Sequence, residues 1–186
     1  MLLSRNDIIE LVKSKRLKFE PEIEEQQIGI CSIDLRLGRM VSKFKDIEGV
    51  TITPSLSKSD IFFERKEMAI GESIHLNEHE FILAQTYEKI FIPNDIAAMV
   101  EGRSTYARWG LSAHVTAPLI EPAFYGNITL EMYNHGKYGI DLRVGTDTVC
   151  QLILYRVSTP LPHEVIEGFG RYRGQTTPEP QPYKKN

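Results

Sequence analysis

Hydrophobic and polar positions alternate with a period of two along most of this chain, and with a helical period only near its start. Ile33, Leu35 and Leu37 alternate with Ser32, Asp34, Arg36 and Gly38, which predicts a half-buried strand ending in a turn. Short runs of similar character follow at Met40 to Phe44, Val50 to Thr53, Ile61 to Phe63, Ser73 to Leu76, Phe81 to Ala84 and Lys89 to Ile92. Turn material separates them at Glu48-Gly49, Pro54-Ser55, Gly71-Glu72, Asn77-Glu78 and Pro93-Asn94-Asp95. Ile128 to Tyr133, Ile140 to Leu142 and Val149 to Val157 read as further strands. At the N-terminus, Ser4 followed by Asp7 is a cap signal, and Ile8, Ile9, Leu11 and Val12 share a helical face, so a short helix should run to about Ser14 or Lys15. Many short strands at this spacing predict a mainly β barrel or sandwich. His75 and His79 fall beside a turn and are expected at the hairpin surface, not as ligands.

A length of 186 residues suits one compact domain, here expected over 1–170. Residues 171–186 carry Pro178, Pro180 and Pro182 and cannot build a core; they read as a mobile tail, or as one that closes over an anionic ligand. A net charge of -3 supplies no global basic field, which disfavours nucleic acid as a partner but leaves room for a local anion site. No run of 18 or more apolar residues occurs and the N-terminus has no charged-then-apolar pattern, so no membrane partner and a cytoplasmic location are expected. Cys31 and Cys150 lie in apolar, strand-like surroundings and read as buried free thiols.

The candidate chemistry is concentrated between Glu101 and Asn134. Arg103, Ser104 and Arg108 suit an anion, because guanidinium forks bond phosphate oxygens bidentately. A short helix is expected to start after Gly102, near Ser104. Glu131 sits between Leu130 and Met132, yet strand alternation places it with Thr129 and Tyr133 on the face opposite Ile128, Leu130 and Met132. It is either a strand carboxylate facing water or a general acid/base in a cleft or at a subunit boundary. Zinc-type nucleobase deamination requires H-x-E and P-C-x-x-C, and neither pattern occurs. There is also no G-x-S-x-G elbow, P-loop or dinucleotide fingerprint.

Several segments together resemble the dCTP deaminases of the trimeric dUTPase superfamily. They are SIDLRLG at 32–38, GRSTYAR at 102–108, HVTA at 114–117, IEPAFYG at 120–126, ITLEMYN at 128–134 and the YRGQ tail at 172–175. The resemblance implies a distorted β-barrel or jelly-roll-like dUTPase fold and a homotrimer with sites between subunits. It implies hydrolytic deamination of dCTP to dUTP and ammonia without a protein-bound metal, and Mg2+ carried by the triphosphate, with no zinc. Glu131 would then be the catalytic acid/base, Ser104 and the Ala117 backbone would hold the attacking water, and Arg108 would stabilise the site. Substrate contacts would come from the segment Arg103, Ser104, Thr105, Tyr106, Ala107 and Arg108, from Glu121 at the sugar and from Thr129, Leu130 and Glu131 at the base. Gln151, Arg171 and Gln175 would meet phosphates. His114, Val115 and Thr116 would mediate inhibition by dTTP.

Five departures stand out, one of them Thr105-Tyr106 in place of the usual Ser-Leu, a packing change. The family's Asp-Pro-Gly is Glu121-Pro122-Ala123, Pro118 replaces a flexible residue, Arg171 replaces the usual tail lysine, and the family's tyrosine between Val157 and Gly170 is missing. Two rival readings remain beside the deaminase. One is a bifunctional deaminase/dUTPase, or a dUTPase, releasing dUMP and diphosphate. The other is a non-catalytic nucleotide-binding regulatory protein.

Overall fold

The computed structural model describes residues 1–54, 58–168 and 170–181. Helix α1 (Arg5–Lys13) is followed by β1 (Lys18–Glu20), a 3-10 turn at Glu25–Gln27, β2 (Ile33–Arg36), β3 (Met40–Phe44), α2 (Ser59–Phe62), β4 (Phe63–Glu67) and β5 (Ser73–Leu76). Then come β6 (Phe81–Phe91), β7 (Ile96–Gly102), α3 (Ser104–Ala107), β8 (Leu111–Ser112), β9 (Leu119–Ile120), β10 (Tyr125–Asn134), β11 (Ile140–Arg143), β12 (Thr148–Arg156) and α4 (His163–Gly168). One sheet has the order β4-β3-β6-β10-β8, with β1 also on β6; a second has β2-β12-β7-β9; β11 and β5 form a separate pair. The mainly β architecture is therefore present, as distorted jelly-roll-like sheets that do not close into a barrel.

The core follows from the alternation. Ile33 and Leu35 of β2, Ile96, Ala98 and Val100 of β7, Ile128, Leu130 and Met132 of β10, and Leu152 and Leu154 of β12 are all buried together. Each large apolar side chain withdrawn from water contributes about 1.5–3 kcal/mol. Helix α1 adds Ile8 and Leu11 to this core, with Ile9 and Val12 partly buried. Its start is set by Asp7, whose carboxylate accepts from the Ser4 N–H at 2.9 Å and the Ser4 hydroxyl at 2.6 Å. Those bonds hold the Asp7 carboxyl below the usual carboxylate range.

Some expected elements take a different form. Val50 to Thr53 forms no strand among the described residues, and Val50 and Ile52 stay roughly half exposed. Ile61 to Phe63 is the end of a single helical turn running into β4. The runs at Phe81 to Ala84 and Lys89 to Ile92 belong mostly to one 11-residue strand, β6. Its continuity is hidden in the sequence by polar residues that nevertheless face inward, since Thr86 and Glu88 are as fully buried as Ala84 and Ile90. Strand β7 is disguised by its small alanines. Among the thiols, Cys150 is buried, and burial first, with the Glu88 and Asp34 charges second, pushes it well above the usual thiol range; Cys31 is only half-buried. His75 is exposed and pairs with Asp141 at 2.7 Å across β5 and β11, and His79 occupies a turn at φ 58°. Among the described residues no helix is long and apolar enough to cross a membrane.

The buried Glu88 organises the junction of the sheets. It accepts from Gln27 Nε2 at 3.1 Å, from the Arg36 backbone N–H at 2.9 Å and from Arg36 Nε at 2.7 Å. The Arg36 guanidinium lies 4.8 Å from the Tyr87 ring centroid. Arg36 is thus tied inward to Glu88.

Candidate active site

Strands β6 and β10 run antiparallel with Thr129 opposite Gln85, Glu131 opposite Leu83 and Tyr133 opposite Phe81. Since Leu130 and Met132 are fully buried in the core, their neighbours Thr129, Glu131 and Tyr133 project from the other face of the sheet. There Thr129 and Glu131 border a cleft of about 730 Å³. Ala117, Glu121, Thr129 and Glu131 line one side, Phe44, Phe63 and Phe81 another, and Arg171, Gln175 and Pro178 the roof. Phe44 stacks on Phe63 at 4.4 Å and meets Phe81 at 5.8 Å, so the second side is an apolar aromatic wall.

Glu131 Oε2 accepts from the backbone N–H groups of Val115 at 3.2 Å and Thr116 at 3.4 Å. The segment expected to be regulatory therefore rests directly on the candidate acid/base. His114 Nε2 faces Glu101 Oε2 at 3.3 Å, while its buried Nδ1 has no hydrogen-bond partner among the described residues. Glu131 also borders a second recess with Ser112, Val115, Thr116, Tyr133 and His135, in which the Ser112 hydroxyl and His135 Nε2 are 2.8 Å apart. The Leu130 side chain is in the core, so only its backbone can address a ligand in the cleft.

The phosphate-type residues form a different group. None of Arg103, Ser104, Thr105, Tyr106, Ala107 and Arg108 lines the cleft. Arg103 Nη2 pairs with Asp34 at 2.9 Å and Nη1 donates to the Thr148 carbonyl at 3.0 Å. Burial pushes the Asp34 carboxyl up and Arg103 draws it back only in part. Gln151 Nε2 donates to the Gly102 carbonyl at 3.2 Å, and Gln151 lies opposite both Asp34 and Glu101 in the second sheet. Ser104, Thr105 and Ala107 of α3 and its C-cap Arg108 are exposed, and Trp109 beyond is 74% exposed. Tyr106 packs on the core, where burial, then the Asp147 charge, pushes its phenol up.

The segment Glu121-Pro122-Ala123 forms a turn in which Phe124 N–H donates to the Glu121 carbonyl at 3.2 Å. Ala123 has φ 60°, a left-handed conformation in which a Cβ is strained by about 1–2 kcal/mol. Ala123→Gly relieves that strain and loses about 0.4–1 kcal/mol through the freer unfolded chain. The expected net result is a stabilisation of about 0.5–1 kcal/mol, read from the urea midpoint; a destabilised variant would contradict it.

Several groups here had no signature in the sequence: the aromatic wall, Glu88 with Arg36, and Gln85, whose buried Oε1 lacks a partner among the described residues. Of the expected tail, residues 171–181 fold back over the cleft while residues 182–186 lie outside the described set, as does Ser55 of an expected turn. Among the described residues there is no group of three or more His, Cys, Asp or Glu that could hold a metal ion.

A family model described as dCTP deaminase-like matches residues 2–157. A relative from Methanosphaera stadtmanae named "dCTP deaminase, dUMP-forming" is 37% identical, with 100% of this chain and 95% of the relative covered. One from Thermomicrobium roseum named "dCTP deaminase" is 36% identical over 97% of this chain and 92% of its own. The crystal structure of 2'-deoxycytidine 5'-triphosphate deaminase from Agrobacterium tumefaciens superposes with a TM-score of 0.65 at 18% identity. It covers 90% of this chain and 52% of that one, a likeness of fold. By the match over most of its length and by relatives that align nearly end to end, this chain belongs to the dCTP deaminase-like family.

Proposed function

We propose that this protein hydrolyses dCTP to dUMP, ammonia and diphosphate. One observation carries the choice of product: the dUMP-forming name recurs among relatives at 36–37% identity that align over 92–95% of their own length. The deamination to dUTP expected from the sequence then becomes the first of two hydrolyses. Glu131 takes a proton from water as the oxygen attacks C4 of cytosine and passes it to ring N3; it then carries the second proton, from the new C4 hydroxyl, to the exocyclic amino group, so the bond from C4 to that nitrogen breaks, ammonia leaves and the C4 carbonyl forms. The Ala117 backbone and Ser104 hold that water, and the backbone of Thr129 to Glu131 faces the base. Glu121 meets the sugar. In the second hydrolysis water attacks the α-phosphorus of the bound dUTP and diphosphate departs, held by Arg103, Gln151, Arg171 and Gln175.

Magnesium fits this assignment as an ion carried by hard phosphate oxygens, where it would neutralise their charge. The described residues offer arginines, hydroxyls and amides to such a complex, not a cage of carboxylates and imidazoles. The separation of α3 from the cleft within one chain supports a homotrimer in which Ser104 and Arg108 of one copy complete the site of another. Exposed apolar residues at Trp109, Val115 and Leu119 flank both parts and suit such an interface. The resting of Val115 and Thr116 on Glu131 supports regulation by dTTP through this loop. A cytoplasmic setting accords with these nucleotide substrates.

The test is incubation of purified protein with dCTP and magnesium, followed by separation of nucleotides. dUMP with equimolar ammonia is the expected result. Accumulating dUTP would replace this reading by the monofunctional one, favoured by the name of the Thermomicrobium roseum relative. Binding of dCTP without product would favour the regulatory reading.

A further inference from the structure

The roof of the cleft is attached at two ends. At one end Gln175 bridges Gly126 of β10, taking the Asn127 N–H on its carbonyl at 3.2 Å and donating Nε2 to the Asn127 carbonyl at 2.7 Å. Gly126 permits this approach: at φ 136°, a Cβ there would lie 2.8 Å from the Gln175 carbonyl oxygen. Arg173 reinforces the same end, donating to the carbonyls of Ala123 at 3.2 Å and Ile166 at 3.0 Å.

The other end crosses the sheet to the β3–β4 hairpin. Glu179, only 7% exposed, inserts its carboxylate between Ser42 and Arg65, which are directly opposed in the β3–β4 register. Arg65 Nε donates to Oε1 at 2.5 Å and Nη2 to Oε2 at 2.7 Å; the Ser42 hydroxyl donates to Oε1 at 2.5 Å. Burial by itself would push the Glu179 carboxyl up, but Arg65 and Ser42 hold it below the usual carboxylate range. An ion pair left on a surface would be worth little; a bidentate pair with a nine-tenths buried carboxylate is a stronger, directional attachment. The hairpin also contributes Phe44 and Phe63 to the aromatic wall, two residues along from Ser42 and Arg65. Pro178 and Pro180 flank Glu179 and limit the conformations lost when the segment docks.

We propose that Arg65 and Ser42 are positioning residues of the nucleotide cleft, which latch Glu179 so that the tail roofs the site and brings Arg171 and Gln175 to its lining. The inference rests on the proposed function for the identity of that ligand, but not for the latch itself. The Glu131 chemistry beneath the latch does not involve these groups.

The experiment uses Glu179→Gln, which keeps the shape and removes the charge, Arg65→Ala, and the exchanged pair Arg65→Glu with Glu179→Arg. Cleavage by trypsin after Arg171 and Arg173 is followed by mass spectrometry in the absence of nucleotide, and KM and kcat for dCTP are then measured. Each single variant should lose the tail at least about tenfold faster and raise KM about tenfold with kcat within about twofold, as expected for loss of a charge-assisted bidentate contact. The exchanged pair should recover most of both. Wild-type cleavage rates in both single variants would overturn the latch. Faster cleavage with an unchanged KM would overturn its role in the cleft. If the wild-type protein binds dCTP but forms no product, the proposed function fails separately, and the Kd for dCTP replaces KM in the same comparison.

Discussion

Glu131→Gln is expected to lower ammonia release from dCTP by at least about 10³-fold, within the range that a positioned acid/base supplies. The carboxylate is the one acidic group that projects from β10 into the cleft beside Thr129, and its strand neighbours Leu130 and Met132 fix its direction by being fully buried. Glutamine retains an oxygen able to accept the Val115 and Thr116 N–H bonds, so the loop and the sheet should stay in place. It cannot take a proton from water at neutral pH. The assay is ammonia release, with sedimentation of both proteins to compare assembly. Activity within tenfold of wild type would remove Glu131 from the acid/base role.

Glu88→Ala should cost about 3–5 kcal/mol of folding stability, the largest single effect expected outside the cleft. Glu88 is fully buried, and its removal strands two donors, the Arg36 N–H and Arg36 Nε, while Gln27 Nε2 keeps its bond to the Asp34 carbonyl at 2.9 Å. The Arg36 side chain is itself only 21% exposed, so its charge cannot be rehydrated without opening the packing over Tyr87. The exposed pair Lys66–Glu72 provides a control: the Lys66 side chain is 64% exposed, and Glu72→Gln should move the urea midpoint far less than Glu88→Ala. Urea unfolding of both variants separates the cases. A loss below about 1 kcal/mol for Glu88→Ala would show that Arg36 finds other partners.

The contrast between Glu88 and Glu131 shows where sequence patterning works. Both are carboxylates within strands. Glu131 interrupts nothing, because Ile128, Leu130 and Met132 keep their period-two row and the acid falls on the alternate face. Glu88 occupies the inward row itself, where an apolar residue would be expected, and so broke one long strand into two apparent runs. Its partner Arg36 is 52 positions away, and no local pattern announces such a pair. The same holds for Glu179 and Arg65, 114 positions apart.

The sequence by itself determined the mainly β character, the capped first helix and the direction of Glu131. Each depends on neighbours within a few positions, through side-chain alternation or local hydrogen bonding. Only the tertiary structure decided that the sheets remain unclosed, that Arg36 turns inward to Glu88, and that α3 stands apart from the cleft lined by Glu131. It also decided that the HVTA loop donates to Glu131 and that a proline-flanked carboxylate near the end of the chain anchors a roof on the opposite hairpin. These depend on which strands pair and on charges meeting across the fold, because a buried ion pair is stable only where two distant segments present complementary groups to one dry site.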